Sequence, residues 1–180
     1  AFAQQRIKQR FAKMVNHPDY TTLWEGWGIG SEGFGGGTIN HAWSGGPLTI
    51  MSQYFAGIAP TAPAFSKYSV FPQMGSLGKI STKVVTPKGD IVLQLMKIKE
   101  SFGMELDSPS GTQATVGIPV PKDGKITEVK ANGQTVWSNG QADANIPGLR
   151  FVKSTPRYVI FSADPGKWSF TASIQQKNQP

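Results

Sequence analysis

Cysteine is absent from the 180 residues, which excludes a disulfide scaffold, a thiolate metal site and cysteine catalysis. Its absence leaves the compartment open, because many secreted bacterial proteins also lack cysteine. Charge is sparse: Asp, Glu, Lys and Arg make up 16% of the chain, against roughly 25% in an average soluble domain. Acids are the scarcer sign, 11 against 18 bases, and the formal net charge is +7. No apolar run of about 18 residues is present, so no segment reads as a membrane span. The opening residues AFAQQRIKQR lack an apolar signal core, so the chain is expected to be mature or cut from a longer one. Turn residues, by contrast, are plentiful: 21 glycines and 13 prolines, about a fifth of the chain where roughly 12% is usual. That balance suits strands and turns better than a long helical bundle.

The first sixteen residues read as one amphipathic helix. Ile7, Phe11, Met14 and Val15 share a face at helical spacing, and Pro18 forbids continuation. Arg6, Lys8, Arg10 and Lys13 lie on the other face without an acid. Four such charges are compatible with nucleic acid, but no further basic or aromatic cluster follows, so a solvated face is expected and no nucleic-acid partner. From Gly33 to Ser66 there is no charged residue. The glycine run of GFGGGTIN must be loop. Pro47 starts a second helix, Leu48, Met51 and Phe55 share its face, and Gly57 and Pro60 end it. A charge-free helix is normally buried on several sides, and two helices with a glycine loop cannot bury one.

After Ser66 the period changes. KISTKVVT, DIVLQLMKI, FGMELDS, QATVGIPV, ITEVKA, QTVWS, YVIFSA and WSFTASIQ are strand-like, and turn residues such as Asp123-Gly124, Asn132-Gly133, Asn139-Gly140 and Asp164-Pro165-Gly166 separate them. This half reads as an antiparallel sandwich able to fold alone. The first half cannot do so, which makes the chain the tail of a larger, mainly helical protein followed by a β-sandwich. Trp137 and Trp168 fall in strands and are expected in the core.

The chemistry-bearing residues lie early. TTLWEGWG sets Glu25 between Trp24 and Trp27, where desolvation would raise its pKa and suit proton transfer. The indoles offer flat apolar surfaces of the kind that stack on sugar rings. An equally open reading makes Glu25 a helix cap or a partner of Arg6 or Arg10, with both Trp residues in the core. His41, in Asn40-His41-Ala42-Trp43, suits a base, a ligand or a hydrogen-bond donor. A metal site needs more ligands, and His17 stands alone before Pro18, so none is expected. Ser31 and Ser44 lack a nucleophile-elbow pattern, and the glycine run lacks the context of a phosphate loop. Glu32 remains a candidate acid by proximity.

TTLWEGWG, followed by GTINHAWSGGPLTIMSQYFAGIAPTAPAF, resembles the end of the catalytic barrel in bacterial α-L-rhamnosidases of glycoside hydrolase family 78. FPQMGSLGKISTKVVTPKGDIVLQL, SPSGTQATVGIPVP and NGQTVW resemble that family's C-terminal β-domain, so the likeness covers nearly the whole chain. The resemblance implies that residues 1–66 end an incomplete (α/α)6 barrel and that 67–180 form an antiparallel β-sandwich. It implies an inverting glycosidase releasing terminal α-linked L-rhamnose without a cofactor. Glu25 would be the general base and His41 would hydrogen-bond the sugar, with Trp24, Trp27 and Trp43 walling the pocket. The family's W-E-R-W wording reads W-E-G-W here, so an arginine contact at Gly26 is lost. The family's acidic cluster, which holds the general acid, is missing, as are most barrel helices. The implied partners are a rhamnose-containing carbohydrate and the rest of the barrel, the fragment alone is expected to be inactive, and the location is expected to be secreted or periplasmic. Two other readings remain: a carbohydrate-binding or interaction module without catalysis, and a related glycosidase acting on another deoxy sugar.

Overall fold

A computed structural model describes residues 2–28, 37–143 and 146–176. The chain forms two compact units, Ala1–Met51 and Ser52–Pro180. In the first, helix α1 spans Phe2–Val15. Its Met14 is fully buried against Trp24, with Phe11 and Leu23 packed around the pair. Val15, expected on the buried face, is 54% exposed; it is the last residue of the helix. The basic face is exposed, as expected, and two of its residues also lie over indoles: the Arg10 guanidinium is 4.8 Å from the Trp27 ring centroid and the Lys13 ammonium 5.6 Å from that of Trp24.

A second helical run begins with a 3₁₀ turn at Ala42–Gly45, continues as α2 (Gly46–Ile50) with Pro47 in its first turn, and loosens into a π turn at Met51–Phe55. Of the expected apolar face, Leu48 and Met51 are uncovered and Phe55 is half-buried. Trp43 is 67% exposed and Leu48 61%.

The second unit is a two-sheet sandwich. Its strands are β1 (Ile58–Pro60), β2 (Lys67–Val70), β3 (Lys79–Thr86), β4 (Gly89–Ile98), β5 (Ser101–Ser108), β6 (Gln113–Pro119), β7 (Gly124–Ala131), β8 (Gln134–Ser138), β9 (Gln141–Ala142), β10 (Leu149–Ser154), β11 (Tyr158–Ala163) and β12 (Gly166–Gln176). One sheet runs β1-β2-β6-β11-β10 and the other β3-β4-β5-β12-β7-β8-β9. Alternation drives the assembly: Ile91, Leu93 and Leu95 of β4 point inward, as do Phe102, Met104 and Leu106 of β5. They meet Ala114, Val116 and Ile118 of β6 and Val159, Phe161 and Ala163 of β11 in one core. The Phe161 and Phe170 rings join the two sheets at 6.0 Å. Trp137 and Trp168 are buried there, 5% and 7% exposed.

The turns follow their residues. Asn132-Gly133 and Asn139-Gly140 take positive φ at both positions, as a two-residue hairpin of the primed type requires. One pairing departs from the antiparallel expectation, because β2 runs parallel to β6. Ile58–Pro60, within the charge-free segment read with the helical part (1–66), pairs with β2 in the β unit.

Candidate functional site

The segment carrying Glu25 is tied to the one carrying His41 by a short reciprocal ladder. The Glu25 amide donates to the Thr38 carbonyl at 2.9 Å, and the His41 amide to the Leu23 carbonyl at 2.8 Å. The Trp43 indole donates to the Glu25 carbonyl at 2.8 Å, and the Ser44 hydroxyl donates to the carbonyl of Trp24. These bonds fix residues 24–25 against 38–44 through backbone groups, so the side chains between them need not supply the cohesion.

The side chains converge on Thr38. Its amide donates to Glu25 Oε2 at 2.8 Å, and its hydroxyl lies 3.4 Å from the same oxygen. His41 Nδ1 lies 2.9 Å from the Thr38 hydroxyl and 3.7 Å from Glu25 Oε2. The Thr38 hydroxyl therefore stands between the carboxylate, which only accepts, and an imidazole nitrogen whose role follows the ring's tautomer. Both side chains are about one-third exposed, 33% for His41 and 30% for Glu25. The described hydrogen bonds to the carboxylate all fall on Oε2.

Glu25 lines a cleft of about 260 Å³ together with Phe11, Trp27, Trp43 and Pro47. Phe11 meets Trp27 edge-on at 6.3 Å, and the His41 ring lies 4.3 Å from that of Trp43. One expected wall is elsewhere: Trp24 is 1% exposed and packs in the first unit's core, with its amide donating to Met14 Sδ at 3.4 Å. The two indoles flanking Glu25 in sequence thus part, Trp24 inward to support the segment and Trp27 outward to the cleft. Of the proposed partners of Glu25, Arg10 lies over Trp27 instead. Glu32, Ser31 and the glycine run through Gly36 lie outside the described residues. Among the described residues, no three His, Cys, Asp or Glu side chains group as a metal site would require. No described helix is long and apolar enough to cross a membrane.

Thr38 is the residue that the sequence reading missed. It lies in the GTINHAW block, where the sequence reading singled out only His41 and Trp43, and only chain closure brings it to residue 25. Chemically the arrangement is a carboxylate held on one oxygen and two indoles around a small open cleft, with His41 outside its lining but in contact with Trp43 and the Thr38 hydroxyl.

Residues 57–133 match the family model described as the bacterial alpha-L-rhamnosidase C-terminal domain. No curated protein sequence matches the chain. Among solved structures, an alpha-L-rhamnosidase from Dictyoglumus thermophilum superposes with a TM-score of 0.70 at 20% identity, over 86% of this chain and 16% of that one. The Streptomyces avermitilis alpha-L-rhamnosidase, solved with L-rhamnose, gives 0.63 at 22% identity, over 84% of this chain and 14% of its own. At these identities the likeness is one of fold. The chain spans about a sixth of the length of such proteins.

Proposed function

We propose, from the match of residues 57–133 to the bacterial alpha-L-rhamnosidase C-terminal domain, that this chain is the C-terminal portion of an inverting glycoside hydrolase. The substrate is a carbohydrate ending in α-linked L-rhamnose, and the location that goes with it is secreted or periplasmic. In this reading the residues before the β unit are the last part of an (α/α)6 barrel, and strand Ile58–Pro60, expected with the helical part (1–66), belongs to the appended sandwich. Two observations support the first half of that statement. The alignment with the Dictyoglumus structure covers more of the chain than the β unit holds. The apolar residues Trp43, Leu48 and Met51 are left facing outward, as residues made to meet further helices would be.

The observation that carries the catalytic assignment is the Glu25 carboxylate, pinned through Oε2 at the wall of an indole-lined cleft. Inversion needs a base that takes a proton from water on the ring face opposite the leaving group, with the acid roughly 6.5–9.5 Å away. Glu25 Oε1 is the atom proposed to take that proton. The acid comes from the part of the barrel outside this chain, so the chain alone is inactive. Holding Oε2 fixed directs the free oxygen and limits its wandering, which is how a positioned base gains over a mobile one. His41, with Nδ1 engaged by the Thr38 hydroxyl, turns Nε2 to a sugar hydroxyl in this reading. Trp27 and Trp43 present apolar faces to the ring, while Trp24 supports the segment from below.

The test is the configuration of the first product. Proton NMR of an aryl α-L-rhamnoside digested by the assembled enzyme should show β-L-rhamnose before mutarotation. Initial α-L-rhamnose would mean retention and would remove the water-activating role from Glu25. The non-catalytic module reading has one observation in its favour, a concave surface on the sandwich.

A further inference from the structure

The outer face of the five-stranded sheet carries a second cleft, about 590 Å³, within the β unit. Its floor is built by strand register. Val159 and Phe161 of β11 point into the core, so Ile160 points away from it, yet only 7% of Ile160 is exposed. Gly117 of β6 stands opposite Ile160 on one side. On the other side an extra residue, Val152, interrupts the β10–β11 register so that Lys153 stands opposite Ile160. Without that bulge Val152 would take the place. A bulge is a common way to re-aim a side chain, and here it brings Lys153 to the cleft across from Ile160.

The walls are held in place. Gly117 has no side chain because the Phe71 ring fills the space: a Cβ there would lie 2.3 Å from the ring. Phe71 meets Tyr158 edge-on at 5.1 Å, and the Tyr158 hydroxyl donates to the Pro72 carbonyl at 3.1 Å. The opposite rim is the β10–β11 turn, closed by Thr155. Its hydroxyl accepts from the Tyr158 amide at 2.9 Å and its amide donates to the Tyr158 carbonyl at 2.8 Å. This turn presents Arg157 to the same cleft as Lys153. The five strands of the sheet hold Lys67, Arg150 and Lys153 and no Asp or Glu.

We propose that this cleft is a second saccharide site, selective for a sugar unit that bears a carboxylate. The apolar row of Phe71, Ile160 and Val152 takes the C–H face of a ring, and Arg157 with Lys153 takes the acid group. The saccharide class rests on the glycosidase reading; the demand for an anion rests on the cleft itself. A site of this kind would hold an acidic polymer while its rhamnose ends are cleaved elsewhere.

Calorimetric titration of the full-length protein with trigalacturonate and with neutral galactotriose tests the idea. Trigalacturonate should bind, and galactotriose should bind at least about tenfold more weakly, the loss of one or two charge-assisted hydrogen bonds. Lys153→Gln with Arg157→Gln should bring trigalacturonate to the level of galactotriose. Lys79→Gln with Lys125→Gln, which removes the same charge from the other sheet, should leave it bound. Equal affinity for the two sugars, an equal loss in the control pair, or no binding because other protein covers the cleft would each overturn the proposal. Hydrolysis of a small aryl rhamnoside, measured alongside, separates the two readings. It should be unchanged in the Lys153/Arg157 variant, and its absence in a protein that still binds trigalacturonate would count against the catalytic reading alone.

Discussion

Replacing Tyr68 by Phe probes how the two sheets of the sandwich are tied. Tyr68 is fully buried on β2, and its hydroxyl hydrogen-bonds the Ser108 hydroxyl at the end of β5, in the other sheet. Phe keeps the ring and its packing near Phe65, so the loss is confined to the hydrogen bond and the stranded Ser108 hydroxyl, itself 4% exposed. An orphaned buried hydroxyl costs about 1–3 kcal/mol. Ser108→Ala should cost a similar amount by stranding the Tyr68 hydroxyl. The double variant, with neither group left to satisfy, should cost clearly less than the two singles together. Urea unfolding of the β unit, followed by near-UV circular dichroism, reads all three. The pH dependence adds a second check. Burial raises the Tyr68 pKa above 10.0, opposed by the Ser108 bond and reinforced by Asp107. The native state therefore keeps its proton after the unfolded chain has lost it, so this contribution is whole below about pH 10 and falls as pH rises toward the native value. Phe at 68 has no such term, and the gap between wild type and variant should narrow above about pH 10 by at most about 1.4 kcal/mol per pH unit. A Tyr68→Phe cost under about 0.5 kcal/mol, or additive singles, would refute the reasoning, because an unstrained surface change is of that size.

Three further outcomes follow from the geometry. Gly57→Ala should destabilise the β unit by about 3 kcal/mol or more, the upper range for one substitution, because φ is +82° and the new Cβ would lie 2.2 Å from the Phe71 carbonyl carbon; a thermal melt within a degree or two of wild type would contradict it. Thr38→Val, which removes the hydroxyl shared by Glu25 and His41, should lower kcat on an aryl rhamnoside roughly ten- to a hundredfold, with Thr38→Ser restoring most of it; equal loss in Ser and Val would mean a packing role only. The chain expressed without other protein should self-associate through Leu48, Met51 and Trp43, which are 61%, 40% and 67% exposed, and a soluble monomer by sedimentation would argue against a missing partner surface.

The strands that the sequence disclosed were those with alternating or β-rich runs bounded by turn residues. β3 spans the predicted run residue for residue. The strands it hid had physical reasons to be hidden. β10 contains the Val152 bulge, which breaks the period of two on which strand recognition depends. β1 ends in Pro60 and lies at a sheet edge, the place where a proline is tolerated and also where it disguises a strand. β2 is four residues long and pairs in parallel with β6, more than forty positions on, so no local turn announces it. At the candidate site, the Trp-Glu-Gly-Trp run showed that a carboxylate sits among indoles, but not that Trp24 turns inward while Trp27 turns to the cleft. Thr38 was illegible because threonines that bond a carboxylate look like any others until the loop closes.

The central claim is that Glu25 is the general base, and turnover of Glu25→Gln in the assembled enzyme tests it most directly. The amide preserves size and can keep accepting from the Thr38 amide, so folding and KM for an aryl α-L-rhamnoside should change little. The rate should fall by about 10²–10⁴-fold, the usual contribution of such a base, since the neutral amide cannot take the proton of water. Wild-type turnover in Glu25→Gln would show that the carboxylate only braces Thr38 and His41, and the account of the site would fail.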